Sequence, residues 1–413
     1  MRSLGLLAMV VVVGCGGTVA DQGDAGLDGG GIDAAKKKDA GPKLDAAADA
    51  SPPPPPLDGG VNVSGDGPGY ESEDQIAVAP DGTIAILYSA FTPTPPYEAI
   101  LATFSADDGK TFSPPQPIVL DSALYAGDPA ITVDAQGNFW ASYLGIAYTG
   151  QTLDYSRVFV AEAPKGTTKF GAPVEVSTPN NTTALEDHPK IFATTTGALL
   201  VGWADFPSAA QPTSANGVVA RSVDGKTWSR TTLITEPEAV YGTFFWFCEG
   251  ASNVYTTFLE ATDHLFIGVR TSGDDGATWT TTSVAASAPN EQIAALDPAC
   301  AAAGSDLWVM YATTQNPSVD ESTLDGADHV WITHSPDGGG TFDGTHVDTL
   351  DHGKSQLGTI PLLVRDPTGK LDVAYPAGNS AGDTNGSIRF TRTDGVTVAP
   401  SVQVDGPMQF DLS

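Results

Sequence analysis

A short repeat constrains this chain more than any other feature. Residues 105–112 read S-A-D-D-G-K-T-F. The pattern S-x-D-x-G-x-T-aromatic returns at 272–279 (S-G-D-D-G-A-T-W) and at 335–342 (S-P-D-G-G-G-T-F). A copy one residue shorter stands at 222–228 (S-V-D-G-K-T-W), and two diverged relatives occupy 163–170 and 392–398. Each residue type suits a tight turn between two strands. The Asp carboxylate accepts hydrogen bonds from nearby backbone N–H groups. Gly supplies the positive φ that other residues resist. The Ser and Thr hydroxyls take up further local backbone groups, and the aromatic buries apolar surface between neighbouring sheets. Asp107, Gly109, Asp224, Asp274, Gly276, Asp337 and Gly339 are therefore read as structural residues rather than catalytic ones.

Counted from the octet Asp or its stand-in, the repeats fall at positions 107, 166, 224, 274, 337 and 394, at intervals of 59, 58, 50, 63 and 57 residues. Between them run short alternating segments separated by turn signals. In the first unit these are 75–79, 83–88, 99–104 and 116–120. The second unit opens at Asp128-Pro129, the third at Asp187-His188-Pro189 and the fifth at Asp297-Pro298. No amphipathic helix of useful length competes. Four strands per interval, six times over, is the sequence signature of propeller blades. The chain is predicted to be all-β, a six-bladed β-propeller with four antiparallel strands per blade over residues 71–413.

The octet resembles the Asp-box, or BNR repeat, and the ordered region resembles the sialidase-like propeller superfamily. That resemblance implies octets on the face opposite the site of chemistry. It also implies what a true sialidase needs: an arginine triad for the substrate carboxylate, a Tyr–Glu nucleophile pair and an Asp acid. Arginine suits the first task because its fork pairs bidentately with a carboxylate. The F/Y-R-I-P motif of the first strand is absent, and Glu73-Asp74-Gln75-Ile76 stands in its place. Arg157, Arg221, Arg270 and Arg389 fall on third strands and Arg365 on an inner turn, so sialidase activity proper is not expected.

The 413 residues carry a formal net charge of −31 with only 19 Lys plus Arg. Nucleic acid is excluded as a partner, since phosphate binding needs clustered basic side chains. Residues 1–15 resemble a bacterial lipoprotein signal: Met1 and Arg2, an apolar run at 4–13 too short to span a bilayer, then Gly14-Cys15. Cys15 is the expected lipidation site; the alternative is an ordinary secretory signal with a stray cysteine. Gly16 after the Cys points to the outer membrane. Residues 16–70 are rich in Asp, Gly, Ala and Pro and cannot bury enough apolar surface to order themselves, so they are read as a disordered tether. The expected location is the cell envelope, extracytoplasmic, with the membrane reached through the lipid alone and the protein a monomer.

Cys248 and Cys300 remain, in a compartment where disulfides persist. They fall on the first strands of units four and five. First strands line a propeller's channel and lie close together, which predicts a disulfide; the alternative is two buried thiols.

The face away from the octets collects polar groups. Carboxylates recur at the predicted strand entries: Asp74, Asp128, Asp187 beside His188, and Asp297. Aromatics recur at second-strand ends (Tyr88, Tyr143, Trp203, Tyr311 and Tyr375), and Asp205, Tyr241, Trp246 and Glu249 join them. Carboxylates with aromatic platforms suit sugar recognition, and two carboxylates across a cleft could run glycoside hydrolysis. The bland reading caps strand entries with Asp and packs the aromatics between blades. Asp128 and Asp187 are the catalytic candidates should there be a reaction, and Asp74, Asp128, Asp187, His188, Asp205, Tyr241 and Asp297 the ligand-binding candidates. The expected partner is a glycan; the alternatives are an envelope protein held by the same face, or turnover of a neutral or cationic sugar. No zinc motif is present, no cofactor is expected, and calcium is the one cation that acidic loops such as 320–328 could hold.

Overall fold

A computed structural model describes residue 63 and, between 71 and 403, all residues except 92–97, 119–123, 150–151, 180, 208–214, 236–244, 262–264, 288–291, 294–297, 316–326, 344–346, 352–353, 356–361, 367 and 379–386. The signal-like segment with Cys15 and the leader to residue 62 lie outside the described residues, as do Tyr241, Asp297 and the acidic loop before Ala327.

The described residues form six antiparallel sheets in chain order. Blade 1 runs Glu71–Val78, Ile84–Phe91, Glu98–Ser105 and Gln116–Pro117. Blade 2 runs Tyr125–Val133, Phe139–Thr149, Thr152–Ala163 and Val174–Glu175, and blade 3 Leu185–Ala193, Leu199–Phe206, Asn216–Ser222 and Ser229–Thr235. Blade 4 comprises Phe245–Glu249, Val254–Ala261, Leu265–Ser272 and Ser283–Ser287. In blades 5 and 6 the inner position is filled by two pieces pairing with one second strand. These are Gln292–Ile293 and Ala299–Ala303 against Asp306–Thr314, and Lys354–Ser355 and Leu362–Arg365 against Leu371–Gly378. The chain is a six-bladed β-propeller.

The octets build near-identical turns. In blade 1 the Ser105 hydroxyl donates to Asp107 Oδ1 at 2.8 Å and accepts from Gly109 N at 2.9 Å. Thr111 donates its N–H and its hydroxyl to the two Asp107 oxygens at 2.9 and 2.7 Å. Blades 4 and 5 repeat the four bonds, and the shorter octet of blade 3 makes them with Ser222, Asp224, Gly225 and Thr227. In the full octets the backbone donor to the carboxylate lies four residues on, farther than a simple Asx turn, whereas the shorter octet of blade 3 also keeps the Asx bond that the sequence suggests, Lys226 N donating to Asp224 Oδ1 at 2.9 Å. These bonds, those of the octet threonine foremost, hold Asp107, Asp224, Asp274 and Asp337 down at about 2.

Five apolar cores sit between consecutive blades, from blades 1 and 2 to blades 5 and 6. The octet glycines close the outer part of these wedges. A Cβ on Gly225 would lie 2.2 Å from the Trp140 ring of the preceding blade, and one on Gly276 would lie 2.4 Å from Leu200. Gly338 in turn faces the Tyr255 hydroxyl of blade 4 at 3.0 Å. The octets of blades 3, 4 and 5 therefore rest on the second strand of the blade before each. Between blades 6 and 1 no such core forms among the described residues, and inner-strand side chains there stay exposed: Ile76 61%, Val78 55%, Leu362 45% and Val364 60%.

Cys248 and Cys300, both on inner strands, are joined in a disulfide with Cα atoms 5.8 Å apart. They lie within the core between blades 4 and 5.

Candidate functional site

The register separates the two ends of a blade. In blade 3, Ala193, Leu199 and Ser222 align at the octet end, and Glu186, Asp205 and Asn216 align at the other. Six residues of strand part Asp187 from Ala193, about 20 Å at the usual rise. Asp187 thus lies well away from the octet face.

Asp128 and Asp187 do not cap strand entries, as the sequence suggests; both lie within inner strands. The pairing slips between Gly127 and Ala130 in blade 2 and between Asp187 and Lys190 in blade 3. Asp128-Pro129 and His188-Pro189 fill these slips. Proline has no N–H to give the ladder, and a bulge is where a strand tolerates it. A bulge also re-aims side chains. Asp128 and His188 both take positive φ, 50° and 47°, a conformation that Asp and His reach more readily than most residues.

The two bulges bring three side chains together. The donor atoms of Asp128, Asp187 and His188 all lie within 4.8 Å of one another. The His188 N–H faces both carboxylates, 3.1 Å from Asp187 Oδ1 and 3.4 Å from Asp128 Oδ2. The His188 ring Nε2 lies 3.9 Å from Asp187 Oδ1, and the two side chains keep 19% and 15% of their surface exposed. Desolvation pushes Asp187 well above the usual carboxylate range; the charge of Asp128 and a hydrogen bond shared with it push the same way, and His188 opposes them. Raised to about 7, Asp187 keeps its proton over a range where an ordinary carboxylate has lost it. These three residues could also hold a metal ion, a grouping that the sequence spacing did not reveal.

More acid stands beside them. Glu186 is 5% exposed. Burial, then the charge of Asp205, raises it well above its ordinary value, and its Oε2 has no hydrogen-bond partner among the described residues. Asp205, directly across the ladder from Glu186, is itself raised by burial, with Asn216 and Arg230 opposing.

The remaining expectations divide. Asp74 lies on the inner strand of blade 1, at a slip between Ser72 and Gln75 like those of blades 2 and 3. Tyr88, Tyr143, Trp203, Tyr311 and Tyr375 are no platforms: all are at most 4% exposed, and large apolar rings wedged between sheets do more by burial than by display. Glu249 belongs to the octet end, where it accepts from Thr195 N and Oγ1 of blade 3. Partly exposed rings do exist in blades 2 and 4: Tyr125 meets Tyr148 edge-on at 5.2 Å, Arg157 covers Tyr155, and Lys190 lies over Trp246. Sequence reasoning missed Tyr125 and Lys190. Both are inner-strand neighbours of an X-Pro pair, which was the available signal. The third-strand arginines serve the scaffold. Arg157 and Arg221 donate to the carbonyls of Asn181 and Asp275, Arg270 to Thr282, and Arg389 to Ser401.

No protein-family model matches the sequence, and no curated protein matches it. Solved structures do match in fold. A Hadza microbial sialidase superposes with a TM-score of 0.50 at 15% identity, over 81% of this chain and 66% of that one. An α-L-arabinofuranosidase of Fusarium graminearum, solved with an iminosugar inhibitor, gives 0.51 at 15% identity, over 69% of this chain and 81% of that one. The fold is shared with sialidase and arabinofuranosidase propellers. At such identity the likeness concerns the fold alone, and the chain spans just under two thirds of the sialidase's length.

Proposed function

We propose that this propeller binds glycans at the channel face opposite the octets, through Asp128, Asp187 and His188, on a lipid-anchored envelope protein. The observation that carries the reading is the convergence of two bulges from neighbouring blades on one partly exposed acidic cluster. A carboxyl raised as Asp187 is donates to a sugar hydroxyl when protonated and accepts from one when ionised. Solved neighbours named sialidase and arabinofuranosidase lend support. Binding is favoured over hydrolysis by this pair. A retaining pair stands about 5–5.5 Å apart and an inverting pair about 6.5–9.5 Å, whereas the facing oxygens of Asp128 and Asp187 lie within 4.8 Å of each other. The acidic mouth favours neutral or cationic sugars over sialic acid.

A glycan array followed by calorimetry tests this. Asp128→Asn and Asp187→Asn should each weaken the best sugar at least tenfold, about 1.4 kcal/mol. Asp187→Asn carries a second signature. A carboxyl whose folded pKa lies above its unfolded one keeps a proton that the unfolded chain has lost, so its contribution to stability falls as pH rises through that window. Removing the charge should therefore stabilise the fold at pH 8, by on the order of 1–3 kcal/mol, with the gain gone near pH 4. Retained affinity in both variants, or no sugar bound at all, would sink the reading and leave an envelope protein as the partner; turnover lost in both would make it a hydrolase. The anchor is tested separately. Cys15→Ser should move the protein from the membrane to the soluble fraction, and persistence in the membrane refutes lipidation at that residue.

A further inference from the structure

The acidic cluster depends on two bulges in different sheets. Each sheet's ladder fixes its own strands, and among the described residues no strand of blade 2 pairs with one of blade 3. Apolar packing in the wedge between them is non-directional. Setting one bulge against the other takes directed bonds.

Two buried serines of blade 2 supply such bonds. Ser156, on the third strand, is 4% exposed. Its hydroxyl accepts from Glu186 N at 2.7 Å and donates to Glu186 O at 2.5 Å. It thus holds both backbone groups of the residue before Asp187. Ser142, on the second strand, is fully buried, and its hydroxyl faces the carbonyl of Pro189, the residue after His188, at 3.5 Å. Asp187 and His188 are therefore bracketed by blade 2 on both sides. Ser142 also stands directly across the ladder from Ala130, the residue after Asp128-Pro129, so one side of the bracket is tied to both bulges. The wedge between blades 4 and 5 repeats the outer bond: Thr257, like Ser142 the fourth residue of its second strand, donates to the Pro298 carbonyl at 2.5 Å. Satisfying buried backbone groups is reason enough for a hydroxyl in that wedge. Beside the cluster the same bonds also decide where the carboxylates stand.

We infer that Ser156, backed by Ser142, is the positioning residue of the cluster, setting the bulge of blade 3 where Asp187 and His188 meet Asp128. What the cluster binds rests on the glycan reading above; where its members stand does not.

Ser156→Val and Ser156→Thr, nearly equal in size and differing in the hydroxyl, test this in the full-length protein. The reporter is the His188 N–H, which faces the carboxylates of both blades and is one of only six histidine amides to be labelled. With no sugar present, it should exchange about tenfold faster in Ser156→Val than in Ser156→Thr, with the His329 and His334 amides of blade 5 unmoved. Thr257→Val, which cuts the matching bond between blades 4 and 5, should leave His188 at the parental rate. Equal His188 rates in the two Ser156 variants, or acceleration of all three amides together, overturns the positioning role whatever the protein binds. Should the bulkier side chains at 156 unfold the protein, Ser142→Ala against the parent carries the same comparison. Affinity for L-arabinose and D-glucosamine, a neutral and a cationic probe, gives a second readout. Ser156→Val should weaken binding about fivefold, yet cost nothing further once Asp128→Asn is present, because the serine acts through that juxtaposition. Retained affinity or a fully additive loss overturns it. Binding of neither probe by the parent counts against the glycan reading alone, and the exchange of His188 still decides this one.

Discussion

Alanine at Gly225 should cost on the order of 2–5 kcal/mol of stability, the sum of a left-handed backbone penalty of about 1–2 kcal/mol and an overpacking penalty of about 1–3 kcal/mol. Gly225 has φ +67°, and its added methyl would stand 2.2 Å from the Trp140 ring. That ring has little room to yield. It is 8% exposed, and its Nε1 donates to Asp134 Oδ2 at 2.9 Å. Gly166, the stand-in at the matching turn of blade 2, supplies the control. Its φ is +76°, yet nothing lies within 4 Å of an added Cβ. Gly166→Ala should pay the backbone penalty alone. Denaturant unfolding of both variants isolates the steric part, and equal losses would show that the octet is not seated on the blade before it.

The second large effect concerns the disulfide. Opening Cys248–Cys300, best done as Cys248→Ala with Cys300→Ala, should remove about 4 kcal/mol, because the bond closes a long loop in the unfolded chain. The two cysteines lie 52 residues apart in sequence. They are 7% and 3% exposed, so the bond resists mild reductant in the native state, and the loss should appear as a lower midpoint in urea with little change in spectrum at low denaturant. A midpoint equal to that of the parent would mean that the unfolded chain gains no freedom when the bond is cut.

What could be read in the sequence follows from how local each signal is. The octets are self-contained turns, four hydrogen bonds within eight residues, so their spacing alone announced six sheets. The inner-strand cysteines followed from that count. Asp128 and Asp187 were legible as candidates because each was read as entering a channel-lining strand beside other polar groups. Their juxtaposition was not, since it depends on two slips in register on different blades, 59 residues apart in sequence. An X-Pro pair inside a strand is itself a bulge signal, and taken that way would have moved both residues from the strand ends to the interior. The second-strand aromatics misled for the opposite reason. Tyr143 and Trp203 occur where a sugar platform would, but they stand opposite the bulges, and packing claims them. Tyr241 and Asp297 lie outside the described residues.

Among the described residues no apolar core joins blade 6 to blade 1, and this has a mechanical consequence. A wheel gripped at every spoke must break two joints before any sheet comes free; a wheel gripped at five releases its first or its last sheet by breaking one. Counted over the joints of the described residues, partial opening of least cost is expected at blade 1 or blade 6, away from the joint between blades 2 and 3, where the acidic cluster sits.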